Sequence, residues 1–400
     1  KIMKVLLVNT FFEPNDIGGT EIFVKRLYKG LKEKNVDVKI LSFDKDLNSN
    51  ENSTAEHDIY RIKLKKFDLK SRVNKKGGKQ KFINKLIEFN NREYRNEFSK
   101  ILKEFKPDII HINNIYGVSC EIWEIANRYS VPIIQTIHDY WTVCPRATLI
   151  NGKLEKCAKR KKICKVYSEV FNKKAKYIKT LVFPSYSMKK IFEKQNMYLN
   201  NNKIVISNFL NINYDYTKKI IEERMQIESN KIKYVYVGRL EKVKGIELLI
   251  DIFSRNSDKE LYVCGNGNKE IVRKIKGINN IKYYGSVDEE TRDLILKKSD
   301  ILIVPSLWEE PFGLVLIEAM RMGCIPIVSQ NGALPEIAFD KDFQVFYDKE
   351  ELSEKIKSIK REEIKNRLNL IIDKLMEYDI NYRINDYVHE YNNLIKNKEL

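Results

Sequence analysis

Two carboxylates eight residues apart, Glu310 and Glu318, bracket the run Pro311-Phe312-Gly313-Leu314-Val315-Leu316-Ile317. The run follows a strand-length apolar stretch at 301–305 and opens a segment with helical spacing. A helix that begins at the carboxyl end of a parallel strand presents free N–H groups and the positive end of its dipole, a natural seat for a phosphate. Carboxylates beside that seat accept hydrogen bonds from pairs of sugar or ribose hydroxyls. Gly313 allows close approach of the backbone to a ligand. A second run, Gly238-Arg239-Leu240-Glu241-Lys242-Val243-Lys244-Gly245, follows the apolar stretch 234–237. Arg239 and Lys244 lie at either side of a short loop, where fixed cations stabilise negative charge developing on a departing diphosphate. The chemistry these residue types suit is group transfer from a phosphorylated, hydroxyl-rich molecule.

Other positions carry less specific signals. Gly265 and Gly267 form a Gly-x-Gly turn at a strand end, and Gly285 closes the next strand. Gly18 and Gly19 follow the opening strand and precede Thr20, read as the N-cap of a helix. Of four histidines, His138 is best placed, directly after the strand 133–137. Cys144, Cys157 and Cys164 are spaced by 13 and 7 residues and form no Cys-x2-Cys knuckle. They read as reduced structural thiols, with a zinc site as the alternative. No Asp-x-Asp follows a strand where a metal–diphosphate ligand would stand, and Arg239 with Lys244 already supplies positive charge. The expectation is no metal and no cofactor.

The elements that must position these residues alternate along the chain. Strands at 4–9, 36–43, 108–112, 133–137, 181–184 and 203–206 make up a first half. Strands at 234–237, 261–264, 281–284, 301–305 and 325–329, with helices between, make up a second. Alternation of strand and helix means βαβ units and a parallel sheet. The expected fold is α/β: two Rossmann-like, doubly wound domains facing each other across a cleft. A linker is expected near 208–230, dividing a first domain at 1–208 from a second at 209–377. A last amphipathic helix at about 378–400 carries Tyr387, Tyr391 and Leu394. Residues 48–80 lose periodicity and read as poorly ordered or as a surface insertion.

The chain of 400 residues carries 73 Lys and Arg against 55 Asp and Glu, a net charge of +18. The excess is concentrated: residues 59–106 hold 16 basic and 5 acidic residues, and 152–179 hold 11 and 2. A clustered positive field suits an anionic membrane surface or a phosphorylated acceptor. No nucleic-acid recognition motif accompanies it, so no nucleic-acid partner is expected. No run of about 18 apolar residues occurs, and residues 1–5 enter a strand without a signal-peptide core. The expectation is a cytoplasmic protein held peripherally at the inner face of the membrane.

Taken together, the Glu310–Glu318 run with its Pro-Phe-Gly-Leu core resembles the E-x7-E signature of glycosyltransferase family 4. The Gly-Arg…Lys-Gly segment resembles that family's diphosphate-binding motif. His138-Asp139-Tyr140-Trp141 with Cys144-Pro145 resembles a stretch of its bacterial members. The resemblance implies the GT-B fold and a retaining transfer from a nucleotide-diphosphate sugar to a glycan or lipid-linked acceptor in surface polysaccharide synthesis. It implies that Arg239 and Lys244 bind the diphosphate, that Glu310 and His138 lie at the transferred sugar, and that Glu318 holds ribose hydroxyls. The Phe312–Gly313–Leu314 backbone, Gly265, Gly267 and Gly285 would flank the donor, and Gly18 and Gly19 the acceptor side. Two alternatives stand beside it: a catalytically silent partner that binds sugar nucleotides, and a GT-B epimerase or phosphorylase.

Overall fold

The computed structural model describes residues 2–13, 18–43, 58–64, 89, 91–157 and 160–399. Pro14 in the loop after the first strand, most of the 48–80 segment, and much of the first basic cluster lie outside these residues.

Thirteen strands, among the described residues, form two wholly parallel sheets. The first contains β1 (Lys4–Asn9), β2 (Asp37–Ser42), β3 (Ile59–Arg61), β4 (Ile109–Asn114), β5 (Ile133–Thr136), β6 (Thr180–Phe183) and β7 (Asn202–Val205). The second contains β8 (Lys233–Val237), β9 (Glu260–Cys264), β10 (Ile281–Gly285), β11 (Ile301–Val304), β12 (Ile325–Ser329) and β13 (Val345–Phe346). Their orders are β3-β2-β1-β4-β5-β6-β7 and β10-β9-β8-β11-β12-β13. Helices cover both faces, so the central strands read as continuous apolar runs: Val5, Leu6, Leu7 and Val8 are all fully buried. In each sheet the order reverses once, between β1 and β4 and between β8 and β11. A crevice opens at such a switch point beyond the carboxyl ends of the strands. The loops after β8 and β11 therefore meet there.

Three expectations change. The first helix runs Gly19–Glu33 with Gly18, not Thr20, as its N-cap. Gly18 is extended and offers no side chain to the first amides. The 48–80 region contains β3, which pairs with β2 through Ile40–Ile59 and its neighbours; three residues are too few to show a period. The stretch 208–230 is not merely a linker. It holds the helix Tyr214–Met225, whose Ile220 and Ile221 enter the second core. Phe209 packs in the first domain and Leu210 in the second. The two-residue β13 had no readable signal.

The chain crosses back at Leu210, which exchanges hydrogen bonds with Tyr378 (3.0 Å) and Ile380 (2.8 Å). Helix Ile380–Glu399 then packs on helix Gly19–Glu33, so closely that a Cβ on Gly30 would lie 2.5 Å from Ile384. His111 in β4 secures it, with Nδ1 2.6 Å from the Tyr391 hydroxyl and Nε2 2.8 Å from that of Thr136. In the second domain, buried Asp300 at the foot of β11 accepts from Arg224 (3.3 Å), from both terminal nitrogens of Arg361 and from the Lys233 amide (2.8 Å). It fixes the starts of β8 and β11, and so the register of the loops beyond them. No helix among the described residues is long and apolar enough to cross a membrane.

Candidate functional site

Glu310 stands at the centre of the crevice between β8 and β11. It is buried, and one of its oxygens takes three donors: Lys244 Nζ at 2.7 Å, Ser306 Oγ at 2.6 Å and Trp308 Nε1 at 2.7 Å. Lys244 also lies over the Trp308 ring, 4.8 Å from its centroid. The second oxygen, Oε2, has no hydrogen-bond partner among the described residues. Buried charges persist where they are paired and hydrogen-bonded, and here that pairing joins the loops after β8 and β11. The Glu310 backbone is also held, through a bridge to Gly332 and an Ala333 amide at 2.9 Å.

Helix Leu314–Arg321 starts three residues after Pro311, with Gly313 as its N-cap at φ 127°. That conformation favours glycine, and a Cβ there would stand 3.0 Å from Leu334. Among the described residues no acceptor meets the amides of Phe312, Gly313, Leu314 or Val315. Four such donors beside a lysine make an anion cradle. On the next turns Glu318, also buried, pairs with Arg292 at 3.2 Å.

The structure does not bring every expected residue into this cluster. Arg239 turns to Glu241 (3.0 Å), and its side chain is 68% exposed at the rim. Gly265 and Gly267 answer to a neighbouring loop: Cβ atoms there would fall 1.8 Å from the Gly238 carbonyl and 2.5 Å from that of Leu240. Gly285 follows in the same layer, its carbonyl bonded to the Gly265 amide at 2.7 Å. Gly18 and Gly19 lie at the N-terminus of the first helix. A Cβ on Gly19 would meet nothing within 4 Å, so packing does not demand that glycine. His138 donates through Nε2 to Asn113 Oδ1 at 3.0 Å and meets the Phe23 ring edge-on at 4.8 Å. Burial pushes its imidazole down to about 3, so it is neutral at neutral pH. Cys144 is buried, Cys164 half-buried and Cys157 exposed. Burial, then the neighbouring Cys144 and Cys164, pushes the Cys157 thiol up. Among the described residues no three His, Cys, Asp or Glu side chains are arranged to hold a metal ion.

Several site residues carried no sequence signal. Ser306 and Trp308 sit in the same loop as Glu310, but nothing in their spacing marks them. Arg292 comes from a separate helix, Glu289–Lys298. Arg26 comes from the first domain: burial lowers its guanidinium from the ordinary range against the opposing pull of Glu318 and Glu289. Its Nη1 is buried without a partner among the described residues.

Two family models tile the chain, glycosyltransferase family 4 over residues 17–214 and glycosyl transferases group 1 over 217–373. The chain belongs to glycosyltransferase family 4. A 42.6 kDa protein of the cps region of Klebsiella pneumoniae is 27% identical over 352 residues, 84% of this chain and 87% of that protein. The transferase has the GT-B fold of solved relatives. Sucrose-phosphate synthase of Thermosynechococcus elongatus superposes with a TM-score of 0.74 at 17% identity, over 98% of this chain and 99% of its own. Anabaena HepE, in complex with UDP, gives 0.66 at 15% identity over 97% and 99%. These boundaries set the crevice in context: the Lys244–Glu310 cluster falls in the group 1 region, and Gly18, Gly19, Arg26 and His138 in the family 4 region.

Proposed function

We propose that this glycosyltransferase moves a hexose, with retention at the anomeric carbon, from a nucleoside diphosphate sugar to a lipid-linked glycan. The carrying observation is the Lys244–Glu310 pair beside the four unpartnered amides of Phe312–Val315. The amides and Lys244 hold the diphosphate, and Arg239 swings in from the rim to complete its charge. Glu310 Oε2 accepts from sugar hydroxyls, Glu318 from the ribose, and neutral His138 hydrogen-bonds the sugar from the first domain. Gly265, Gly267 and Gly285 line the nucleotide side. Gly18 and Gly19 leave open backbone at the acceptor side. Departure and attack occur on one face, the leaving diphosphate taking the acceptor's proton. No metal is needed because the cations of the chain neutralise the leaving group. HepE binds UDP, and the Klebsiella relative comes from a cps region; both support a role in surface polysaccharide synthesis.

The acceptor side meets an anionic membrane surface at the inner face. Helix Lys162–Lys174 supports this, since Ile163 and Val166 are 71% and 68% exposed among lysines. The donor reading is tested by thermal shift with UDP-, GDP- and ADP-sugars, using Glu318→Ala and Arg239→Ala as controls. One donor should stabilise the parent chain and neither variant; stabilisation that survives in both variants would overturn the assigned site. Anomeric NMR of the product decides retention, and sedimentation with anionic vesicles at low salt decides the membrane surface.

A further inference from the structure

The loop that carries Glu310 is held from the first domain as well as from within its own. Ser185 is the N-cap of helix Tyr186–Lys194 in the first domain, accepting from the Met188 amide at 3.1 Å. The same hydroxyl donates to the Pro311 carbonyl of the second domain at 2.8 Å, in a buried contact. The next two amides of that helix, Tyr186 (2.9 Å) and Ser187, donate to the two carboxylate oxygens of Glu336. Glu336 lies in helix Leu334–Ile337, which follows the Gly332–Ala333 segment that holds the Glu310 backbone. A carboxylate at a helix N-terminus gains both hydrogen bonds and the dipole. Lys156 adds a third tie, 2.8 Å from Glu309, whose other oxygen takes the Gly332 amide at 2.7 Å.

These contacts have a directional consequence. The peptide unit is planar and trans, so a Pro311 carbonyl aimed at Ser185 turns the Phe312 N–H to the opposite side, away from the first domain. Phe312 is the first of the four amides that lack an acceptor among the described residues. We infer that Ser185 and Glu336 are positioning residues of the transfer reaction: they couple the seating of the first domain to the orientation of the donor-loop amides. This rests on the donor reading above only for the identity of the ligand. The strap itself is a property of the unliganded chain.

Amide hydrogen exchange on the full chain tests it. Ser185→Ala and Glu336→Ala should each speed exchange of the loop's hydrogen-bonded amides, Leu316, Gly332 and Ala333, roughly tenfold, the size of one lost hydrogen bond, while the strands of both sheets stay protected. Ser185→Thr, which keeps the hydroxyl, should stay near the parent. Ser185→Asp keeps a cap acceptor but has no proton for Pro311; it should behave like Ser185→Ala in the loop and like the parent in helix 186–194. Unchanged loop exchange in both alanine variants, a rise spread over both sheets, or a loop restored by Ser185→Asp would each overturn the inference. Calorimetric titration of the same samples with UDP, GDP and ADP separates the two claims. No heat from any nucleotide with the parent chain would defeat the donor reading and leave the exchange result to judge the strap. Binding that is weakened roughly three- to tenfold by Ser185→Ala and recovered by Ser185→Thr is the expected result.

Discussion

Lowering the pH should weaken the first domain through His111, and the size of the loss follows from its surroundings. The ring is fully buried in β4, bonded at both nitrogens to neutral hydroxyls of Tyr391 and Thr136. Burial, with His138 nearby, pushes its pKa from 6.5 to about 3. The folded chain therefore keeps the imidazole neutral, whereas the unfolded chain protonates it below about 6.5. Below that point the unfolded state binds more protons, so the stability this group contributes is complete above 6.5 and is lost progressively as pH falls towards 3. The slope is roughly 1.4 kcal/mol per pH unit, which amounts to roughly 2 kcal/mol between pH 6.5 and 5. His111→Gln keeps hydrogen-bonding capacity without a titrating proton. Urea unfolding of both proteins at about pH 7 and about pH 5, followed by tryptophan fluorescence, gives the difference directly. The parent should lose roughly 2 kcal/mol more than the variant. Parallel losses in the two proteins would refute the argument that burial holds this histidine neutral.

Three further outcomes follow from the geometry. Lys244→Met removes one of three donors to Glu310 and the cation beside the amide cradle; nucleotide affinity by calorimetry should fall about 30-fold, the worth of roughly 2 kcal/mol in a charged hydrogen bond, and the unfolding midpoint should fall as well because buried Glu310 loses its cation. Asp300→Ala leaves Arg224 and Arg361 buried without their carboxylate, and urea unfolding should record a loss of about 3–5 kcal/mol; a loss below 1 kcal/mol would show that the two arginines find other acceptors. Gly313→Ala forces a side chain into φ 127° against Leu334 and should cost about 1–3 kcal/mol, whereas Gly19→Ala, with open space around it, should leave stability unchanged.

The sequence alone determined the two-domain α/β architecture, because buried parallel strands must be apolar throughout and must alternate with helices. It also singled out the Glu310–Glu318 run and the Arg239–Lys244 loop, which the fold brings together at the carboxyl ends of β11 and β8 through the Lys244–Glu310 pair. It read the last helix through Tyr387, Tyr391 and Leu394, all of which are buried against the first domain. Short-range spacing could go no further. A three-residue β3 and a two-residue β13 are shorter than any period that could announce them, and their pairing is decided by the sheet they join. Thr20 has the side chain of a cap, but the backbone at Gly18 starts the helix earlier. Only the tertiary structure decided that Lys244, rather than Arg239, meets Glu310, since the two loops approach through the order of β8 and β11 and not through chain distance. The same holds for Arg292 beside Glu318, for Arg26 facing it from the other domain, and for Ser185 bonded to Pro311 across 126 residues. The Arg26 and Ser185 contacts depend on where two folded domains come to rest against each other, and the Lys244 and Arg292 contacts on how separate loops and helices of one domain converge; no local pattern of residue types encodes either.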